Sequence, residues 1–318
     1  VDVRRRTARW VAALFCALAI GAAGACHRPP AATTRSYYMA NNGTAVATRL
    51  GCANGVKSGR ATLFFGAPTI GRGWYGATAW GRPNMHMWDI EQTTMNVIRG
   101  YASCRRSSSY RLLVGMGTSN SGIDSRSVAW LQAHGRAWAT SVRNVAAWAN
   151  RYYPGVAQVY AAWDFEPSWS SYRSAHAWMQ GYDARPGRQL MFINSSADGC
   201  STTNANNGPC NNGWNQQRVW HLAWQHDPSL PIPQIYTNSG TQARQWKLID
   251  LWATVNARDG MFFYGTLTQL GACQQVGGCA STDNSPHQAH DQLLWWLRSD
   301  RRTSQSSLST MMDVRWNS

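Results

Sequence analysis

Seven or eight apolar runs of strand length alternate with helical stretches, no linker or 20 to 50-residue repeat divides them, and no glycine-rich phosphate loop accompanies them. Together these observations predict one closed (β/α)8 TIM-type barrel. A doubly wound open sheet would bring a phosphate-binding turn, and the segment from Gly66 to Gly71 carries a proline and lacks that spacing.

Taken in order, Ser36 to Met39 is a short strand candidate, and Ala61 to Ala67 is an apolar run closed by Pro68. Asp89 can cap a helix that runs through Cys104. Arg111 to Gly117 is the next strand. Trp138, Val142, Val145, Ala149 and Tyr152 then recur at helical spacing until Pro154-Gly155 ends the helix. Strand character returns at Val156 to Trp163, Gln189 to Asn194, Ile232 to Thr237 and Met261 to Thr266, and Val219 to Trp224 is a further strand candidate that equally suits a helix. Helices are expected near Gln242 to Val255 and Gln288 to Trp296. Met311 to Val314, with Ser36 to Met39, supplies the eighth strand.

The first 25 residues read as an export signal. Arg4, Arg5, Arg6 and Arg9 precede the apolar run Trp10 to Ile20, and small residues follow. That run is too short to span a bilayer comfortably and no later segment approaches 18 apolar residues, so the chain is expected to be exported and not to be an integral membrane protein. Ala23 and Ala25 suit cleavage before Cys26. Residues 26–35 then form a tether, and 36–318 form the barrel domain. Gly24-Ala25-Cys26 resembles the end of a bacterial lipoprotein signal, although Ala23 stands where that family prefers leucine. Lipidation of Cys26 with surface anchoring, and plain secretion, both remain open. Six further cysteines, Cys52, Cys104, Cys200, Cys210, Cys273 and Cys279, suit disulfides in an oxidising compartment. Fifteen pairings are possible; Cys200 with Cys210 and Cys273 with Cys279 would close short loops and leave Cys52 with Cys104.

The formal charge is +15, carried almost entirely by arginine. Such a surface favours anionic polymers or headgroups. The arginines are scattered and no basic recognition helix appears, so no nucleic-acid partner is expected. An acidic wall polymer or polysaccharide is the expected partner, with a membrane reached only through a lipid anchor.

Strand C-termini carry the chemistry of a barrel. At the end of Val156 to Trp163 stands Asp164-Phe165-Glu166-Pro167-Ser168-Trp169. Asp164 and Glu166 are two apart on extended backbone, so both side chains point one way with Cα atoms about 7 Å apart. Carboxylates this close push their pKa values apart, and one can hold a proton near neutrality. A protonated acid beside a carboxylate can protonate a leaving-group oxygen and steady developing positive charge. Glu166 is one of only two glutamates in the chain, with Glu91.

This D-x-E at a strand end resembles the glycoside hydrolases that cut amino-sugar polymers, among them chitinase-like and muramidase-like barrels. The resemblance implies that Glu166 is the proton donor and that Asp164 supports it or orients an acetamido group. It covers this strand end and the barrel pattern alone. The longer chitinase pattern has further aspartates where this chain has Ala162 and Val159. The alternative function is a non-catalytic wall- or carbohydrate-binding barrel.

Other residues at expected strand ends complete a candidate cleft. Asp124 and Asp198 are loop acids that can orient a hydroxyl or activate water. Gln234 and Tyr236 share a face, and Tyr264 lies near the end of the next strand; each can line a cleft or a barrel core. Of the 18 tryptophans, Trp163, Trp169 and Trp224 sit where flat carbohydrate platforms would, or pack in the core. No H-E-x-x-H and no Cys/His zinc spacing occurs, and His287, His290 and Asp291 lack a third ligand. No metal and no cofactor is expected.

Overall fold

The computed structural model describes residues 33–317 except 72, 80–82 and 227–228. The expected signal segment and Cys26 lie outside the described residues. In chain order the elements are β1 (Thr33–Tyr38), α1 (Thr44–Asn54), β2 (Gly59–Phe64), β3 (Ala67–Gly71), β4 (Trp74–Thr78), β5 (Asn84–His86), α2 (Met87–Cys104) and β6 (Leu112–Ser119). There follow α3 (Val128–Tyr152), β7 (Ala157–Asp164), α4 (Tyr172–Asp183), β8 (Met191–Ile193), α5 (Gln216–Trp220) and β9 (Ser229–Pro231). The chain ends with α6 (Thr241–Trp252), β10 (Gly265–Thr268), α7 (Leu270–Val276), α8 (Pro286–Arg298) and β11 (Thr310–Trp316).

Eight parallel strands run in the order β10-β11-β1-β2-β6-β7-β8-β9. The ring closes beyond β9, where Gln234 bridges to Leu267 and the Ile235 N–H donates to the Leu267 carbonyl at 3.0 Å. The expected (β/α)8 barrel is therefore what the chain forms. β3, β4 and β5 make a small antiparallel sheet inserted between β2 and α2.

Side-chain alternation divides the core in two. Tyr38, Phe64, Tyr160, Ala162, Phe192, Ile232, Leu267, Met312 and Val314 fill the barrel interior, while Leu63, Val114, Val159, Ala161 and Trp163 face the helical layer. The interior accommodates its rings because β6 turns glycine inward: a Cβ on Gly115 would stand 2.9 Å from Phe192 and 3.0 Å from the Ala162 Cβ. On the outside, α3 and α4 cross closely, since a Cβ on Gly135 would meet the Trp178 carbonyl at 2.2 Å. That contact fixes α4, which begins just after the loop bearing Glu166.

Local chemistry sets the helix ends. α2 starts with a capping box in which the His86 ring accepts from the Trp88 N–H and the His86 N–H donates to Asp89 at 3.0 Å. Asp89 is thus the third residue of the helix rather than its cap. Along α3, Trp138, Val142, Val145 and Ala149 are buried and Tyr152 is exposed. One expected strand is corrected. Val219 to Trp224 is helical, comprising the end of α5 and a π-helical turn over His221–Gln225. Val219, Trp220, Leu222 and Ala223 are all buried, and a helix covered on two sides reads as an unbroken apolar run. The expected strand Ile232 to Thr237 lies earlier, as Ser229–Pro231, and within its expected range pairs through the Gln234 bridge, while both terminal candidates, β1 and β11, join the barrel.

Three disulfides form. Cys52–Cys104 ties the ends of α1 and α2, Cys200–Cys210 closes the loop after β8, and Cys273–Cys279 closes the end of α7. Among the described residues no helix is long and apolar enough to cross a membrane.

Candidate active-site cleft

The alternation of β7 places the chemistry. Tyr160 and Ala162 point into the barrel, so Asp164 does too, and it is buried. Glu166 continues the same parity at the rim and reaches a cleft of about 470 Å³ at the C-terminal mouth. Tyr38, Trp169, Asp198, Gln234 and Tyr236 also border this cleft. Its size suits a sugar-sized ligand.

Beneath Glu166 the polar groups form a chain. The Gln234 amide donates to Asp164 Oδ1 at 2.6 Å and to the Asn194 carbonyl at 3.3 Å. Asn194 accepts from the Thr62 hydroxyl at 3.0 Å and donates to the Ile232 carbonyl. Residues from β2, β7, and the ends of β8 and β9 therefore meet under the cleft, and Thr62, Asp164, Asn194 and Gln234 each have a partner there.

Glu166 itself is held by its backbone. Asn120, just after β6, accepts from the Glu166 N–H at 2.9 Å and donates to the Glu166 carbonyl at 3.0 Å. The same amide donates to the Ser170 hydroxyl at 2.7 Å. Phe165, on the outward parity, stacks on Trp214 at 5.3 Å, and the Trp214 indole donates to the Ser170 carbonyl. Next to the Cys200–Cys210 bridge, Asn211 donates to the Ser168 hydroxyl and Asn212 to the Pro167 carbonyl. The Glu166 loop is thus clasped on both sides.

Burial raises the Glu166 carboxyl to about 8, and the nearby Asp198 charge pushes in the same direction. Asp164 is also held well above the ordinary carboxylate range, first by burial and then by Glu166 and Asp198, with the Gln234 hydrogen bond opposing. Among the described residues, none of the ion pairs includes Asp164, Glu166 or Asp198. No described arginine therefore locks these carboxylates. At neutral pH Glu166 retains its proton, which makes it a proton donor facing solvent-accessible space. Tyr38 and Tyr236 hydrogen-bond to each other, and burial raises both hydroxyls.

The structure brings together Asp164, Glu166, Trp169, Asp198, Gln234 and Tyr236, and it places four expected site residues elsewhere. Trp163 is adjacent to Asp164 and so takes the opposite parity; it is fully buried and stacks on Trp178 at 4.8 Å. Asp124 accepts the Ser171 N–H and hydroxyl at 2.8–3.0 Å, and so anchors the start of α4 outside the cleft lining. Trp224 lies on the π-helical turn and donates to Asp259 at 3.2 Å in the outer layer. Tyr264 precedes β10 rather than ending it, and it lies near Arg60, at the start of β2. Three further residues belong to the site. Tyr38 and Trp316 line the cleft from the ends of β1 and β11, as their parity with Ser36 and Val314 implies. Asn120 carries no sequence signal, since a lone loop asparagine resembles any other.

No protein family and no curated protein matches the sequence. Among solved structures, the chain is similar to the crystal structure of a GH18 chitinase from Pseudoalteromonas aurantia, with 11% identity, a TM-score of 0.46, and coverage of 90% of this chain and 95% of that one.

Proposed function

We propose that this chain is a glycoside hydrolase acting on an amino-sugar polymer such as peptidoglycan, with Glu166 as general acid and Asp164 as its partner. One observation carries the reading: a glutamate raised to about 8 opens onto a cleft directly beside a second, deeply buried carboxylate. A neutral Glu166 can protonate the glycosidic oxygen, while Asp164, aligned by Gln234, orients an acetamido group. Tyr236 is available to hydrogen-bond that acetamido group, and Trp169 offers a flat face to a sugar ring. Three disulfides favour work outside the reducing cytoplasm, in accord with an export signal, and Cys26 is the residue that would carry a lipid anchor.

The test is release of reducing ends from purified peptidoglycan and from chitin oligomers. The natural protein is expected to release them and Glu166→Gln is expected to lose at least about a hundredfold in rate. Equal release by both would remove Glu166 from the role. Binding without release by the natural protein would make the chain a carbohydrate-binding barrel.

A further inference from the structure

Away from the cleft, three of the eight histidines converge on the outer face of the barrel. His176 lies on α4, and His221 and His226 bracket the π-helical turn that leads into β9. One ring nitrogen from each falls within 4.8 Å of the other two. The ring centroids stand 4.6–5.4 Å apart in edge-on arrangements. We propose that His176, His221 and His226 form a three-histidine site for a divalent transition metal, best suited to zinc.

Three features support the assignment. First, the outer partners are those that metal-binding imidazoles use: His226 Nδ1 donates to the Asp183 carboxylate, and His221 Nδ1 is hydrogen-bonded to the Tyr172 hydroxyl at 2.9 Å. Asp183 is itself held by Arg188 at 3.2 Å. Second, with Nδ1 so engaged, His226 Nε2 carries the free lone pair, and this atom is buried with no hydrogen-bond partner among the described residues. A buried polar atom without a partner is costly unless something else binds it. Third, a cavity of about 220 Å³ bordered by Tyr172, Arg218 and His221 adjoins the cluster, leaving room for a water as fourth ligand. Tetrahedral zinc with bonds of about 2.0–2.1 Å needs ligand nitrogens roughly 3.4 Å apart. The rings must therefore converge by at most about 1.4 Å, within reach of small side-chain rotations.

The bound ion would clamp α4 to the turn before β9. Tyr172 packs edge-on against Trp214 at 5.4 Å, and Trp214 stacks on Phe165 between the two cleft carboxylates. The clamp would thus steady the scaffold behind the Glu166 loop without taking part in the chemistry.

The experiment is zinc titration by calorimetry on the chelator-treated, oxidised full chain, with cobalt(II) as spectroscopic probe. One equivalent is expected to bind, with visible bands of low-coordinate cobalt and a melting temperature raised by roughly 5–10 °C at a hundredfold excess over Kd. His176→Gln and His226→Gln are each expected to weaken binding at least tenfold, while His290→Gln keeps it. In the natural protein, zinc should also protect His176, His221 and His226 from diethylpyrocarbonate, as read by peptide mass spectrometry. This readout does not depend on a variant folding. Failure of the natural protein to bind zinc stoichiometrically, or zinc that leaves these three histidines unprotected, would reduce the cluster to aromatic packing.

Discussion

Asn120 grips Glu166 at both ends of its residue, taking the N–H at 2.9 Å and giving to the carbonyl at 3.0 Å. A loop asparagine therefore fixes where the candidate acid stands relative to Asp164. Asn120→Ala removes both bonds and the one to Ser170, and leaves buried backbone groups unsatisfied. The expected cost is about 1–3 kcal/mol of stability, with a fall in kcat of roughly tenfold to a hundredfold from misplacement of the acid. Asn120→Asp keeps the acceptor and adds a negative charge close to Glu166. It should fold, and it should shift the alkaline limb of the rate profile upward. Denaturant titration together with kcat and KM on a chromogenic oligosaccharide checks both expectations.

The acid role has a pH signature. With Glu166 at about 8, kcat/KM is expected to hold through neutrality and fall tenfold per unit well above pH 8. Burial is the larger cause of that elevation and Asp198 the second. Asp198→Asn should therefore move the limb to lower pH without abolishing it. Stability follows the same proton. Between 4.5, the ordinary glutamate value, and about 8, the folded chain holds a proton that the unfolded chain has lost. This contribution to stability is complete below 4.5 and declines as pH rises to 8. Glu166→Gln cannot ionise, so its melting temperature should gain on that of the natural protein between pH 5 and pH 9. A gap that narrows over this range would contradict the assignment.

The Cys200–Cys210 bridge closes the loop whose asparagines hold Pro167 and Ser168. Replacing both cysteines by serine removes the constraint of a short loop on the unfolded chain, worth about 2–3 kcal/mol. It also loosens one side of the Glu166 clasp. Thermal unfolding should shift down and kcat should fall, with KM less affected. Removal of Cys273–Cys279, which closes a loop at the end of α7, is expected to lower stability by a similar amount. Ser281 and Thr282 also border the cleft, so its main kinetic effect should be on KM.

Much of this was legible in the chain because parity and strand length are local properties. Asp164 and Glu166 share a face for the same reason that Trp163 cannot join them, and the alternation that found the pair also excludes their neighbour. β6 and β7 were visible as apolar runs with turn residues beside them. Val219 to Trp224 reads equally as strand or helix, since burial on two sides erases helical periodicity. Tyr264 followed from a strand placed two to four residues early, which carried it from just before β10 to near its end. The His176, His221 and His226 cluster joins α4 to a turn 45 residues further on, and no ligand spacing within either segment announces it.

Two tryptophans six residues apart provide the sharpest separation between scaffold and site. Trp163 is fully buried between barrel and helices, and its indole N–H has no hydrogen-bond partner among the described residues. Trp163→Ala should cost about 3–5 kcal/mol as a core truncation, and whatever folds should bind oligosaccharide with unchanged affinity. Trp163→Phe removes the unpartnered N–H while keeping an aromatic ring, so it should recover most of that loss. Trp169 is half-buried at the cleft with one face open to a ligand. Trp169→Ala should leave the melting temperature within about 2 °C and weaken oligosaccharide binding roughly tenfold, the scale of one lost ring-stacking contact. Melting curves paired with calorimetric binding on these three variants separate the two roles. If Trp163→Ala weakens binding beyond its effect on stability, the outward parity of that residue is not what the cleft depends on.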